Sequence, residues 1–256
     1  MNTALQVQKT YTPSPTVIKL YEGGGRKPKG NQYSHKQRGV SSEVYAFQSV
    51  EEIQAMINVL DKHITEAKTP TNRMVWQRNK MLFILGINIA LRGSDLCELK
   101  FSDFLDADGK FKDNTKIQPK KTQKIGKFVF IHFNEITKAA IAEYLEEYPY
   151  ESIDDYVFAS KKTGQNIQPR QIWSVIKQVA DEAGIKQNIG SHSLRKTFGY
   201  WVWHDSEDKN AALVMLQRIF NHSSTQVTLH YIGITQDEMC GVYESVENIY
   251  NKALAY

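Results

Sequence analysis

The sequence predicts an α+β fold that is mainly α-helical, with one small antiparallel β-sheet. Three observations carry this. Apolar residues recur at helical spacing through most of the chain after residue 49. One stretch, 72–91, is apolar almost throughout its second half, as expected of a helix at the centre of a core. Between 103 and 131 the texture changes to short β-prone runs separated by Asp and Gly.

Residues 1–46 are rich in Thr, Pro, Gly, Lys and Ser and show no apolar period. They read as an extended or disordered arm. The expected division is a basic flexible arm over 1–48 and a folded domain over 49–256. Ser49 and Glu52 stand three apart ahead of Ile53, Met56, Ile57, Leu60 and Ile64, the pattern of a capped helix start. The second helix, 72–91, breaks at Arg92-Gly93-Ser94, and helix resumes at Asp95-Leu96-Cys97-Glu98-Leu99. Lys127-Phe128-Val129-Phe130-Ile131 belongs to a sheet of two or three strands. Helices are expected at about 134–147, 168–183, 193–204, 210–220, 224–230 and 235–249.

The chain has 256 residues, 41% of them hydrophobic, which suffices for one ordinary core. Its net charge is only +4, but the distribution is uneven. Residues 1–46 hold seven Lys/Arg against two Glu, a net of +5, while the remainder nets −1. A basic arm on a near-neutral body suits contact with a phosphate backbone, and equally suits a solvated tail. Two cysteines, Cys97 and Cys240, make neither a disulfide framework nor a cysteine-rich zinc site. They favour a reducing compartment. The longest apolar run, Met81 to Leu91, falls short of the roughly 20 residues of a membrane span. No signal peptide is visible at the N-terminus, so a cytoplasmic location is expected.

The strongest chemical signal lies near the C-terminus. Ser191-His192-Ser193-Leu194-Arg195-Lys196-Thr197-Phe198 is followed by Asn221-His222-Ser223-Ser224 and then Thr228-Leu229-His230-Tyr231. Imidazole and guanidinium groups bind a phosphodiester and manage its protons, and a phenol is a nucleophile that can attack one. Guanidinium suits the non-bridging oxygens because it is planar, always charged and bidentate. His192 and Arg195 point the same way at i, i+3 on a helix start. Alone, that spacing equally describes a surface pair. Arg92 follows an apolar helix at once, with Asp95 three residues on to orient it; a helix-terminal Arg would look the same. With 13 tyrosines in the chain, choosing Tyr231 needs the motif around it. Lys121, in Pro119-Lys120-Lys121-Thr122-Gln123-Lys124, is expected at a hairpin turn, where it is a mobile acid or merely a solvated charge.

Together these elements resemble the tyrosine recombinase (phage integrase) family. Ala90-Leu91-Arg92-Gly93-Ser94-Asp95-Leu96 matches the first arginine box and His192-Ser193-Leu194-Arg195-Lys196-Thr197-Phe198 the second. Lys121-Thr122, His222-Ser223-Ser224 and Tyr231 follow the family order, and the likeness spans about 49–249. The stretch from Asn221 to Ile234 is especially similar to integrase-type recombinases of Gram-positive bacteria and their mobile elements. Lys196 stands where a His is common, and Phe220-Asn221 where Leu-Gly is usual.

The resemblance implies a tyrosine recombinase catalytic domain and assigns roles. Tyr231 attacks the scissile phosphate to give a 3′-phosphotyrosyl link. Arg92 and Arg195 hold the non-bridging oxygens, and His192 assists proton transfer. Lys121 is the general acid, with Lys120 and Lys124 as alternatives. His222 hydrogen-bonds the phosphate and Asp95 buttresses the site. Contacts to DNA are expected from Arg26, Lys27, Lys29, Lys120, Lys124 and Lys196. No cofactor or metal is implied, because the covalent link conserves the bond energy.

The implied partner is duplex DNA carrying specific sites, bound by a homo-tetramer at synapsis, with accessory DNA-bending proteins possible and a nucleoid location. The amphipathic stretch from Thr235 to Tyr256 docks either on a neighbouring protomer, as in the family, or on its own domain. With only 48 residues ahead of the first helix, the chain resembles the short members of the family, and the basic arm is expected to replace part of their missing DNA clamp. Rival readings are a type IB topoisomerase-like nicking and resealing enzyme, and a DNA-binding regulator that keeps the fold without cutting. A metal-dependent nuclease lacks ligand spacing in the sequence.

Overall fold

The computed structural model describes residues 43–120, 126–234 and Lys252. The body is helical, with one two-stranded sheet. Helix α1 (Val50–Thr65) is capped by Ser49, whose hydroxyl accepts from the Glu52 N–H at 3.1 Å, while the Glu52 carboxylate reaches back past the cap to accept from the Gln48 N–H at 2.8 Å. Met56, Leu60 and Ile64 form its buried stripe.

Helix α2 (Pro70–Asn88) begins with Thr69 as cap and Pro70 in the first turn, and runs through the core. It crosses the later helix α7 (Ser191–His204) at Gly86. A methyl added there would lie 2.5 Å from a Leu194 methyl, so only glycine permits this approach. The helix ends at Asn88, before the expected break at Arg92. Ala90 adopts a left-handed conformation, φ 57°, that no α-helix can continue through.

Two short helices follow, α3 (Gly93–Leu96) and α4 (Phe101–Phe104). Strands β1 (Asn114–Ile117) and β2 (Val129–His132) pair antiparallel, with Asn114 opposite His132 and Ile117 opposite Val129. The expected two or three strands are two among the described residues. Helices α5 (Glu135–Glu147), α6 (Pro169–Glu182), α7, α8 (Lys209–Phe220) and α9 (Thr225–Ile232) complete the body. The helix expected at 235–249 lies outside the described residues.

One boundary needs correction. The body begins before Ser49. Phe47 is fully buried in the main core and edge-on to Phe83 at 5.6 Å. Its N–H donates to the Thr197 hydroxyl at 2.9 Å, and its carbonyl accepts from the Trp201 indole at 2.9 Å. The Tyr45 N–H donates to the Asn188 carbonyl at 2.9 Å. Residues 43–48 are thus a strap on α7, anchored by one aromatic side chain that no periodicity could reveal.

The main core wraps α2. A second, smaller cluster joins Ala90, Leu216, Phe220 and Ile232, with Phe198 and Tyr231 packed against it. This cluster fixes α7, α8 and α9 to the turn after α2. Gly199 permits it: a methyl there would meet Ile232 at 2.6 Å and the Phe220 ring at 2.8 Å. Among the described residues no helix is long and apolar enough to cross a membrane.

Candidate active site

The turn after α2 delivers the first arginine. A left-handed alanine costs about 1–2 kcal/mol, and burial of Ala90 in the second cluster holds it there. The chain then leaves in extended geometry at Arg92, which caps α3. The Arg92 guanidinium lies 4.0 Å from the Asp95 carboxylate, which is almost fully buried. The other Asp95 oxygen accepts from the Lys120 N–H at 3.1 Å. Asp95 therefore links Arg92 to the root of the β1–β2 connection.

Lys121 and Lys124 lie outside the described residues, as do Arg26, Lys27 and Lys29 of the arm. The Lys120 ammonium is exposed and paired with Glu98 at 2.7 Å, an exchangeable surface contact.

Helix α7 delivers the second arginine. The Gly190 N–H donates to the Ser193 hydroxyl at 3.0 Å, which starts the helix two residues earlier than expected. Arg195 is 4% exposed. One of its donors reaches the Phe220 carbonyl at 3.1 Å, and the guanidinium lies 4.6 Å from the Phe220 ring. Burial draws its pKa down to about 10; Tyr231 and Asp95 oppose that shift, and Arg92 adds to it. It is still a cation at neutral pH. A buried guanidinium held by one carbonyl is costly, and an oxyanion between Arg195 and Arg92 would offset that cost. His192 stands at the rim of the site. Its pKa is lowered, first by partial burial and then by Arg195, Arg92 and Lys196. Its neutral form, able to accept a proton, is favoured.

The third segment follows α8. Asn221 ends that helix in the left-handed conformation, φ 54°, and turns His222 inward. The His222 Nδ1 lies 3.1 Å from the Thr228 hydroxyl, which itself donates to the Ser224 carbonyl at 3.2 Å. With its proton committed to that carbonyl, the hydroxyl accepts from His222 Nδ1–H, which leaves Nε2 for the site. The His222 pKa is lowered by burial, then by Arg195 and Arg92. Ser224 caps α9 by accepting from the Val227 N–H at 3.2 Å.

Helix α9 carries Tyr231. Its ring is 5.0 Å from His222 and 5.2 Å from Phe220. It is half-buried, not sealed. Burial raises its pKa, while Arg195 and Arg92 pull it back. The phenol is therefore protonated at rest, and both guanidinium groups act on it.

The fold thus brings Arg92, Asp95, His192, Arg195, His222 and Tyr231 to one place. Lys196 is 7% exposed, with its ammonium turned to Glu43 and the face of the Tyr231 ring. Sequence reasoning missed Thr228, Phe220, Ala90 and Glu43. Only Thr228 left a trace, four residues after the cap Ser224, where its side chain turns inward. Among the described residues no group of three His, Cys, Asp or Glu side chains could hold a metal. Cys97 is a buried thiol whose pKa burial pushes up to about 12, so it is not a nucleophile.

A helical body with this small sheet and these three segments converging is the catalytic domain of a tyrosine recombinase. The chain belongs to the phage integrase family, whose model matches residues 49–238. It is 35% identical over 168 residues to the probable integrase/recombinase YoeC of Bacillus subtilis (strain 168), covering 66% of this chain and 84% of that protein. It is 26% identical over 170 residues to the tyrosine recombinase XerC of Thermodesulfovibrio yellowstonii, covering 66% of this chain but only 54% of XerC. The crystal structure of the XerH site-specific recombinase, bound to its palindromic difH substrate after cleavage, superposes with a TM-score of 0.57 at 19% identity. That match covers 84% of this chain and 58% of XerH. The chain thus spans about half the length of its Xer relatives.

Proposed function

We propose that this chain cuts and rejoins duplex DNA at specific sites through a 3′-phosphotyrosyl intermediate on Tyr231. One observation carries the reading: Tyr231 on α9 and Arg195 on α7 flank the same Phe220 ring, 5.2 Å and 4.6 Å from it, His222 lies 5.0 Å from Tyr231, and Arg92 stands on the turn that Ala90 anchors to the same cluster. Two cations beside a protonated phenol form a site for a phosphodiester and its attacker.

The scissile phosphate binds between Arg92 and Arg195, with His222 Nε2 at one oxygen. Its negative charge offsets the guanidinium groups and restores the His222 imidazolium as a donor. The phenolic oxygen attacks phosphorus and its proton passes to His192. The bond from phosphorus to the 5′-oxygen breaks, and that oxygen takes a proton from a lysine of the β1–β2 connection, Lys121 in this reading. Religation reverses each step with a different 5′-hydroxyl, and no net bond energy is spent.

The active assembly is a tetramer on two sites, with DNA-bending proteins as accessories. The basic N-terminal arm contributes to DNA binding, and the protein resides with the nucleoid. The DNA-bound XerH relative supports duplex DNA as the partner.

The test is a nicked suicide duplex incubated without metal. The wild type forms a covalent adduct, and Tyr231→Phe abolishes it with DNA affinity retained. An adduct that survives in Tyr231→Phe reassigns the nucleophile. No adduct with tight, specific binding indicates a regulator, and relaxation of supercoils without partner exchange indicates a topoisomerase.

A further inference from the structure

We propose that Lys196 is a positioning residue for cleavage, its ammonium held between the Glu43 carboxylate and the face of the Tyr231 ring. The inference rests on the recombinase reading above and extends it to a residue next to the second arginine.

The geometry is specific. The Lys196 ammonium lies 5.6 Å from the Tyr231 ring centroid and 3.4 Å from the Glu43 carboxylate. The residue is buried. An ammonium taken out of water needs compensation, and one half-exposed carboxylate supplies only part of it. The π-face of Tyr231 supplies more. Glu43 is not a stray contact. Its carbonyl accepts from the Asn188 side chain at 2.7 Å, and the strap it begins is tied to α7 by the Phe47 bonds to Thr197 and Trp201. The strap therefore sets the carboxylate, the carboxylate sets the ammonium, and the ammonium limits how the nucleophile's ring can tilt.

The same charge reaches the proton acceptor. His192 faces Arg195 and Lys196 on its own helix and Arg92 from the turn ahead of α3, and all three disfavour its protonation. Removing Lys196's charge makes His192 easier to protonate. Removing Glu43's charge leaves the Lys196 cation less compensated and does the opposite.

The experiment is single-turnover cleavage of the nicked suicide duplex at saturating enzyme across pH 5 to 9, with DNA affinity and melting temperature measured alongside. Lys196→Met should slow cleavage by roughly 3- to 30-fold, the worth of a desolvated cation–π contact. It should move the acid limb of the profile to higher pH and leave DNA affinity within about twofold, as a buried side chain off the phosphate backbone requires. Lys196→Arg, which keeps charge and aromatic contact, should restore most of the rate. Glu43→Gln should move the acid limb to lower pH. A purely structural brace would slow both variants without opposite pH shifts, and that result overturns the proposal. So does a Lys196→Met profile that coincides with the wild type. A tenfold loss of DNA affinity in Lys196→Met also overturns it, by making Lys196 a phosphate contact. If Lys196→Met fails to fold, the Glu43→Gln shift decides: a shift to lower pH supports the proposal, and no shift overturns it. Absence of any adduct from the wild type would instead refute the recombinase reading itself.

Discussion

Thr228→Val isolates the support of His222. Valine has nearly the shape of threonine, and Thr228 is fully buried, so the substitution opens no cavity. It removes one acceptor, the hydroxyl 3.1 Å from His222 Nδ1. The Ser224 carbonyl loses the hydroxyl but keeps the Thr228 N–H at 3.3 Å, so the start of α9 stays intact. A buried donor left unpaired costs about 1–3 kcal/mol. His222 is only partly buried and can recover some of this from water, which places the loss near the lower half of that range. With a tenfold rate change per about 1.4 kcal/mol, cleavage should fall by roughly 5- to 30-fold as the ring leaves its productive orientation. The assay is single-turnover adduct formation on the suicide duplex, with DNA affinity and melting temperature as controls. DNA affinity should hardly move, the melting temperature should fall by roughly 2–8 °C, and Thr228→Ser should retain most of the activity. Cleavage by Thr228→Val within twofold of the wild type would refute the claim that this hydroxyl orients His222.

Phe47→Ala should destabilise the body by about 3–5 kcal/mol, the cost of deleting a buried aromatic ring, read as a lowered midpoint in urea; an unchanged midpoint would detach the strap from the core. The two site histidines also give stability a pH dependence. His192 and His222 both have folded pKa values below the ordinary imidazole value of about 6.5, so the unfolded chain takes up protons first. Their effect is absent above that pH, and stability falls as pH drops through it towards the lower folded values. The drop in melting temperature between pH 7.5 and 5.5 should be smaller in the His192→Gln/His222→Gln double variant than in the wild type.

The fold was largely legible because its elements are locally consistent. Ser49 did cap α1 through the Glu52 N–H, and the apolar run in α2 did become the centre of the core. The missed boundaries share a cause. Ala90 ends α2 by a backbone conformation alanine rarely adopts, and Phe47 joins the core as a lone anchor without a period. Neither leaves a pattern that spacing can reveal. The burial of Lys196 was hidden for a related reason. A lysine beside a reactive arginine reads as a phosphate contact, but its helical phase turns it under the strap instead.

What the order of residues determined by itself was the roster of reactive groups and their family, because guanidinium, imidazole and phenol chemistry travels with residue type and motif. Only tertiary structure decided which of those groups share a pocket, how each is charged at rest and what holds it. Those properties depend on burial and on through-space distances between α7, α9 and the turn after α2, which are remote in the chain and meet only through the second core cluster.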